Sequence, residues 1–216
     1  VTAALGMDNR KIETCASGGR CIDLGILRRS HSIWVNDSSN DDDHNRAFRG
    51  SLNRFLPAVC VQNALFMKHA AAHPPAPDAG HPSIHLLTHF GGAFQVGQGL
   101  VHWTREQRAV AASYINVYKR CRHYLERDFY PLLRPARSRD SWDGWQYHDP
   151  GSQSGILIIF RLAKSTRGTR TFIISAIPHP EATAFTRVAG DGELAVVKGR
   201  LRVELPPGSA MMLHYA

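Results

Sequence analysis

The feature that most constrains the fold of this chain is a change of hydropathy period near Pro131. From Lys11 to Leu133, short apolar runs alternate with amphipathic stretches, which predicts successive βα units. Lys11 to Thr14 reads as a strand end, Cys15 to Gly19 as its loop, Ile22 to Arg29 as a short helix and Ser32 to Asn36 as the next strand. After Asp41 the spacing of Asn45, Phe48, Leu52 and Phe55 is helical, and Pro57 stops that helix before the apolar run Ala58 to Val61. Beyond Pro131 the runs shorten to two-residue alternation separated by Gly, Pro and Asp. The pattern predicts an α/β part over residues 1–133 and an antiparallel β domain over 134–216, divided within "LLRPARSRDS".

Within the first part the clearest element begins at Thr104. Thr-Arg-Glu-Gln matches a capping box, and Val110, Tyr114, Val117, Cys121 and Leu125 follow along one face. Before it, Phe94 to Val96 has strand character, with Gly91, Gly92, Gly97 and Gly99 as turn residues. In the second part the expected strands are Gly155 to Arg161, Arg170 to Ala176, Ala182 to Val188, Arg200 to Leu205 and Ala210 to Tyr215. In the fourth, Leu201, Val203 and Leu205 face one way while Arg200, Arg202 and Glu204 face the other, as a half-buried antiparallel strand requires.

The 216 residues are 43% hydrophobic, enough for a sizeable core. The net charge of +8 comes mainly from arginines scattered through every element, without the clustered face and interleaved aromatics of a nucleic-acid surface, so no nucleic-acid partner is expected. No apolar run approaches the roughly 20 residues that cross a bilayer, and no membrane partner is expected. Cys15, Cys21, Cys60 and Cys121 show neither a CxxC pair nor zinc spacing; they read as mostly core thiols, and unpaired cysteines favour a cytoplasmic location.

Several stretches could carry chemistry. His81, His85 and His89 share a four-residue spacing that suits zinc on a helix, but "HPPAPDAG" before them is a loop composition, so no metal is expected. Asp41, Asp42 and Asp43 lack the glycine and downstream glutamate of a calcium loop and read as a helix N-terminus. Trp142, Trp145 and Tyr147 read as core or interface aromatics rather than a sugar-stacking platform.

The stretch from Cys15 to Asp37 differs, because unusual features recur at equivalent places in consecutive βα units. In a parallel barrel all strands open their carboxyl ends on one face, so the glycine-rich loop Cys15 to Gly19 and the carboxylate of Asp37 would look into one cavity. The glycines would let backbone N–H groups approach a ligand. A helix-capping aspartate beside an ordinary glycine turn fits the same spacing.

"CASGGRCIDLGILRRSHSIWVND" resembles a motif of glycoside hydrolase family 36, the melibiase-type α-galactosidases. Similarity continues through "AFQVG", "TREQRAVAASYINVYKRCRHYL", "DFYPLL", "DGWQYHDP" and "GILIIFR". The resemblance implies the C-terminal part of a (β/α)8 TIM barrel followed by a small β-sandwich. Lys11 to Cys15 would be the fifth barrel strand, and Ser32 to Asp37 the sixth. Asp37 would be the general acid/base, and Cys15 with Ser17 and Gly18 would line a galactose pocket. The substrate class would be galactose-containing oligosaccharides, with no cofactor and possible homo-oligomers. The family's nucleophilic aspartate lies in a Lys-x-Asp motif on the fourth strand, which would precede Val1; Asp8 falls too close to Cys15 to replace it. The expectation is a fragment of a retaining α-galactosidase, inactive alone, whose half barrel exposes strand edges and an apolar interior. The alternatives are a catalytically silent galactoside-binding fragment, or a related α-N-acetylgalactosaminidase or galactosyltransferase.

Overall fold

The structure is a computed structural model that describes residues 11–15, 22–35, 41–65, 82–97, 100–134 and 140–216. Four parallel strands, β1 (Glu13–Thr14), β2 (Ser32–Trp34), β3 (Val61–Leu65) and β4 (Ala93–Val96), lie side by side in chain order. The helices between and after them are α1 (Leu24–Leu27), α2 (Asp42–Leu52), α3 (Pro82–Phe90) and α4 (Arg105–Cys121). The expected βα grammar is therefore present, with α1 reduced to a single turn capped by the Asp23 carboxylate on the Ile26 amide.

One face of this sheet is apolar. Ile33, Val35 and Val61 pack with Leu52 and Leu56 beside α2, and Leu65 packs with Leu86, Trp103 and Ala111. The alternate positions form the opposite row, which includes Glu13, Ser32, Trp34, Gln62 and Gln95. The Gln62 amide donates to Gln95 Oε1 across that row. Among the described residues the face turned away from the helices thus mixes these polar side chains with Trp34, Ala64 and Ala93.

In α4 both capping-box bonds form, Gln107 N–H to Thr104 Oγ1 and Thr104 N–H to Gln107 Oε1. The buried stripe is Ala111, Val117 and Cys121, with Tyr114 partly covered, whereas Val110 is 38% exposed. From Tyr114 onward the stripe keeps the expected phase, with Leu125 buried beyond the helix; only at its first position does Ala111, packed with Leu65, Leu86 and Trp103, take the place of Val110. Thr104→Ala is expected to lower stability by about 1 kcal/mol, seen as a reduced urea midpoint with unchanged slope.

The remaining strands form two antiparallel sheets. The five-stranded sheet runs β5 (Asp128–Pro131), β6 (Trp142–Asp149), β7 (Ser154–Arg161), β12 (Ser209–Tyr215), β9 (Phe185–Gly190). The three-stranded sheet runs β10 (Glu193–Val197), β11 (Arg200–Glu204), β8 (Thr169–Phe172). Because β5 pairs with β6, the chain has joined this sheet before Pro131 is passed. Trp142, Leu157, Ile159, Met211 and Leu213 pack between the two sheets against Phe172, Leu201 and Val203. The other face of the larger sheet, with Trp145, Tyr147, Ile158 and Phe160, packs on Ile84, Leu87, Phe90 and Val117 of the helices. Burial on both faces explains why "GILIIF" in β7 is a continuous apolar run.

The structure adds β10, which the sequence reading lacked. It pairs with β11 through a two-residue turn in which Lys198 and Gly199 have φ of 50° and 68°, the left-handed geometry that matches strand twist in a tight hairpin. The expected alternation of β11 holds: Leu201 and Val203 are buried, and Arg200, Arg202 and Glu204 are exposed.

Candidate functional site

The parallel pairing of β1 with β2, in register Glu13 to Ser32 and Thr14 to Ile33, brings the exits of the two strands to one edge of the sheet. Cys15 stands exposed directly after β1. Val35 follows β2 and donates its N–H to the Gln62 carbonyl at 3.1 Å, fixing that strand end to β3. Six residues later Asp41 caps α2, its carboxylate accepting from the His44 amide at 3.0 Å. Asp37, Ser17 and Gly18 lie outside the described residues, so of the expected site residues the structure places only Cys15.

The histidine and aspartate clusters take structural roles. His85 and His89 share one face of α3, and both pair with Asp42 in the first turn of α2. His81 lies outside the described residues, among which no group of three or more His, Cys, Asp or Glu side chains could hold a metal. Asp43 bonds to Arg46 at 2.6 Å, so the acidic run forms a helix N-terminus in which each carboxylate has its own partner. Trp142, Trp145 and Tyr147 are core residues, each at most 1% exposed. Of the described thiols only Cys121 is buried; Cys60 is half-covered and Cys15 exposed, so the expected core role holds for one of them.

What the sequence reading missed is a buried polar seam between α2 and β6. Arg46 Nε donates to Asp143 Oδ2 at 3.0 Å, with both side chains almost fully covered. Burial pushes the Asp143 carboxyl above its ordinary range, and Arg46 opposes that rise. Arg49, fully buried, donates from Nη1 to the Val61 carbonyl, and desolvation lowers its pKa to about 10, which leaves it charged at neutral pH. Asn53 donates to the Gly91 carbonyl at 2.9 Å and to the Tyr147 hydroxyl at 2.7 Å. Tyr147 in turn donates to the Gly91 carbonyl, and burial raises the pKa of its phenol. The visible clue was the spacing of Arg46, Arg49 and Asn53, three and four residues apart on one helix.

Solved structures with a similar fold include α-galactosidases. The galactosidase domain of the α-galactosidase-sucrose kinase AgaSK matches with a TM-score of 0.74 at 17% identity, over 99% of this chain and 30% of that one. The GH36 α-galactosidase AgaA of Geobacillus stearothermophilus in complex with raffinose matches with a TM-score of 0.70 at 17% identity, over 94% of this chain and 28% of that one. The α-galactosidase of Lactobacillus brevis matches with a TM-score of 0.67 at 14% identity, over 99% and 30%. The chain has the fold of a carboxy-terminal portion of GH36 α-galactosidases. It spans less than a third of the length of these proteins. No protein-family model and no curated protein matches the sequence.

At the opposite end of the galactosidase-like parallel sheet lies a cavity of about 710 Å³. Its walls are the amino ends of the four strands, with Glu13, Ser32, Gln62 and Ala93, and the end of α4, with Lys119 and Arg122. This cavity and the exits of β1 and β2 are on different rims of the sheet, so the two are separate features.

Proposed function

We propose that the chain is the carboxy-terminal part of a retaining α-galactosidase that releases terminal α-linked galactose from oligosaccharides. The observation that supports this reading is the parallel β1–β2 pair, whose two strands leave the sheet at the same edge in a fold shared with α-galactosidases. In this reading the parallel sheet is half of a (β/α)8 barrel, and Asp37 protonates the leaving glycosidic oxygen and then activates water. Cys15, Ser17 and Gly18 shape the galactose pocket. The raffinose bound by AgaA supports a galactose-containing oligosaccharide as the substrate class.

Retention needs a second carboxylate about 5–5.5 Å from the first, and no Lys-x-Asp motif occurs ahead of β1. The 216-residue chain alone is therefore expected to release no nitrophenol from 4-nitrophenyl α-galactoside. A polypeptide extended upstream through an aspartate-bearing strand is expected to hydrolyse both this substrate and raffinose. In that polypeptide Asp37→Asn should reduce raffinose turnover by on the order of 100-fold or more. It should slow the glycosylation step far less for the nitrophenyl substrate, whose leaving group needs no proton. Equal losses on both substrates in single-turnover assays would remove Asp37 from the acid/base role, and turnover by the short chain, abolished by Asp37→Asn, would overturn the expectation that it is inactive alone. Binding of raffinose by the short chain, measured by calorimetry and followed by no turnover in the extended one, would favour a silent galactoside-binding module.

A further inference from the structure

We propose that Ser152, Ser154, Tyr124 and His214 form an acid-sensitive latch between the 3₁₀ turn that follows α4 and the five-stranded sheet. That turn, Arg122–Glu126, carries the chain from α4 into β5. Its Tyr124 is only 5% exposed, and the hydroxyl lies 2.8 Å from Ser154 Oγ at the start of β7 and 3.0 Å from His214 Nε2 in β12. Ser154 Oγ lies 2.7 Å from Ser152 Oγ in the bend between β6 and β7. One imidazole and three hydroxyls thus join segments that are far apart in sequence. None of these residues belongs to the galactoside site proposed above.

The hydrogen bonds can run in either direction. With a neutral ring, Ser152 donates to Ser154, Ser154 to Tyr124 and Tyr124 to Nε2, which assigns the ring proton to Nδ1. With a charged ring, Nε2–H donates to Tyr124 and each hydroxyl turns round, so that the last proton points outward from Ser152, which is exposed. Protonation therefore keeps the bonds, and its cost comes from what surrounds the ring.

Nothing beside the ring answers a positive charge. Its neighbours across β7 and β9 are Ile156 and Thr186. Tyr147, next along that row in β6, spends its hydroxyl on Asn53 and Gly91, and His148 bonds to Tyr215 on the opposite face. From the turn comes a second base, His123, whose ring centroid is 4.1 Å from that of Tyr124. Arg127, after the turn, pairs with Asp149 at 3.5 Å, and Arg122 and Glu126 face the cavity at the amino ends of the parallel strands. Burial, and then His123, hold the pKa of His214 below its ordinary 6.5. The folded protein thus binds this proton more weakly than the unfolded chain, and stability that is present above pH 6.5 is lost as the pH falls below it. β12 is hydrogen-bonded on both sides and is held in place. Lifting the turn hydrates the imidazolium at a smaller cost, so acid favours the open latch.

The test combines NMR titration of the histidine rings with amide hydrogen exchange of residues 122–131 and of β7, each rate divided by the intrinsic rate at that pH, in the full 216-residue chain, in His214→Gln and in His123→Gln. His123 is exposed, so its variant keeps the test open even where glutamine at 214 disturbs the fold. His214 should titrate below pH 6.5. Opening of residues 122–131 relative to β7 should grow between pH 8 and pH 5, by up to a factor of ten for each pH unit that separates that midpoint from 6.5. His214→Gln should abolish this growth, and His123→Gln should raise the His214 midpoint and reduce it. The proposal is overturned if His214 titrates at or above pH 6.5, if the turn opens no further at pH 5 than at pH 8, or if His214→Gln responds to acid as the unaltered protein does.

Discussion

Arg46→Met is expected to destabilise the protein by about 3–5 kcal/mol at neutral pH, the usual result of leaving one member of a buried ion pair behind. Arg46 is held by Asp43 on one side and Asp143 on the other, and it carries the link from α2 to β6. Without the guanidinium, Asp143 keeps its desolvation and loses its largest opposing interaction. Its carboxyl, already raised above the ordinary value of 3.8, rises further. A raised folded-state pKa means that the folded protein binds the proton more tightly than the unfolded chain, so stability falls as pH climbs through that window. The loss in Arg46→Met should therefore be largest at pH 7 and shrink towards pH 4, where the carboxyl is increasingly neutral in both states. Urea unfolding at the two pH values measures this; an equal loss at both would mean that the methionine disturbs packing and that the charge matters little. Asp143→Asn combined with Arg46→Met should recover part of the loss, because no buried charge is then stranded.

Gly92→Ala is expected to reduce stability by at least the upper end of the roughly 1–3 kcal/mol range for overpacking. A Cβ built on Gly92 would lie 1.9 Å from Arg49 Nη1 and 2.3 Å from the Val61 carbonyl oxygen. The guanidinium could swing away only by abandoning its bond to that carbonyl, and the carbonyl belongs to β3 and cannot move without the sheet. Gly91 is constrained similarly, since its Cβ would sit 2.3 Å from the Trp145 ring. Thermal unfolding of Gly92→Ala, alone and with Arg49→Ala, separates the two contacts. Shortening the arginine should restore only part of the loss; full restoration would show that β3 yields more easily than its pairing suggests.

These two sites show what kind of information the sequence carried. Gly91 and Gly92 read as turn formers, and neither has the positive φ for which a turn selects glycine. They are glycine because Trp145 and Arg49 come too close for a side chain, and those partners are distant in sequence. Arg46, Arg49 and Asn53 are charged or polar residues of α2 and its carboxyl cap. They are buried because β6 covers them, a fact that no local period encodes. The covering of Ala111 in place of Val110 in α4 has the same origin: both are apolar, and only the position of Leu65, Leu86 and Trp103 decides which is covered. The hairpin strand β10 was legible in principle from Leu194 and Val196 beside Lys-Gly, since its two-residue turn is purely local chemistry.

Local grammar was legible in the residues alone: βα units before Pro131, alternating strands after it, and the capping box at Thr104. Hydrogen-bond periodicity and side-chain alternation act over a few residues, so they are written in a few residues. Packing alone settled that the five-stranded sheet is buried on both faces and that charged residues of α2 seal the junction with β6. Those outcomes depend on which surfaces meet, and burial of a charge or a glycine is a property of the meeting rather than of either segment.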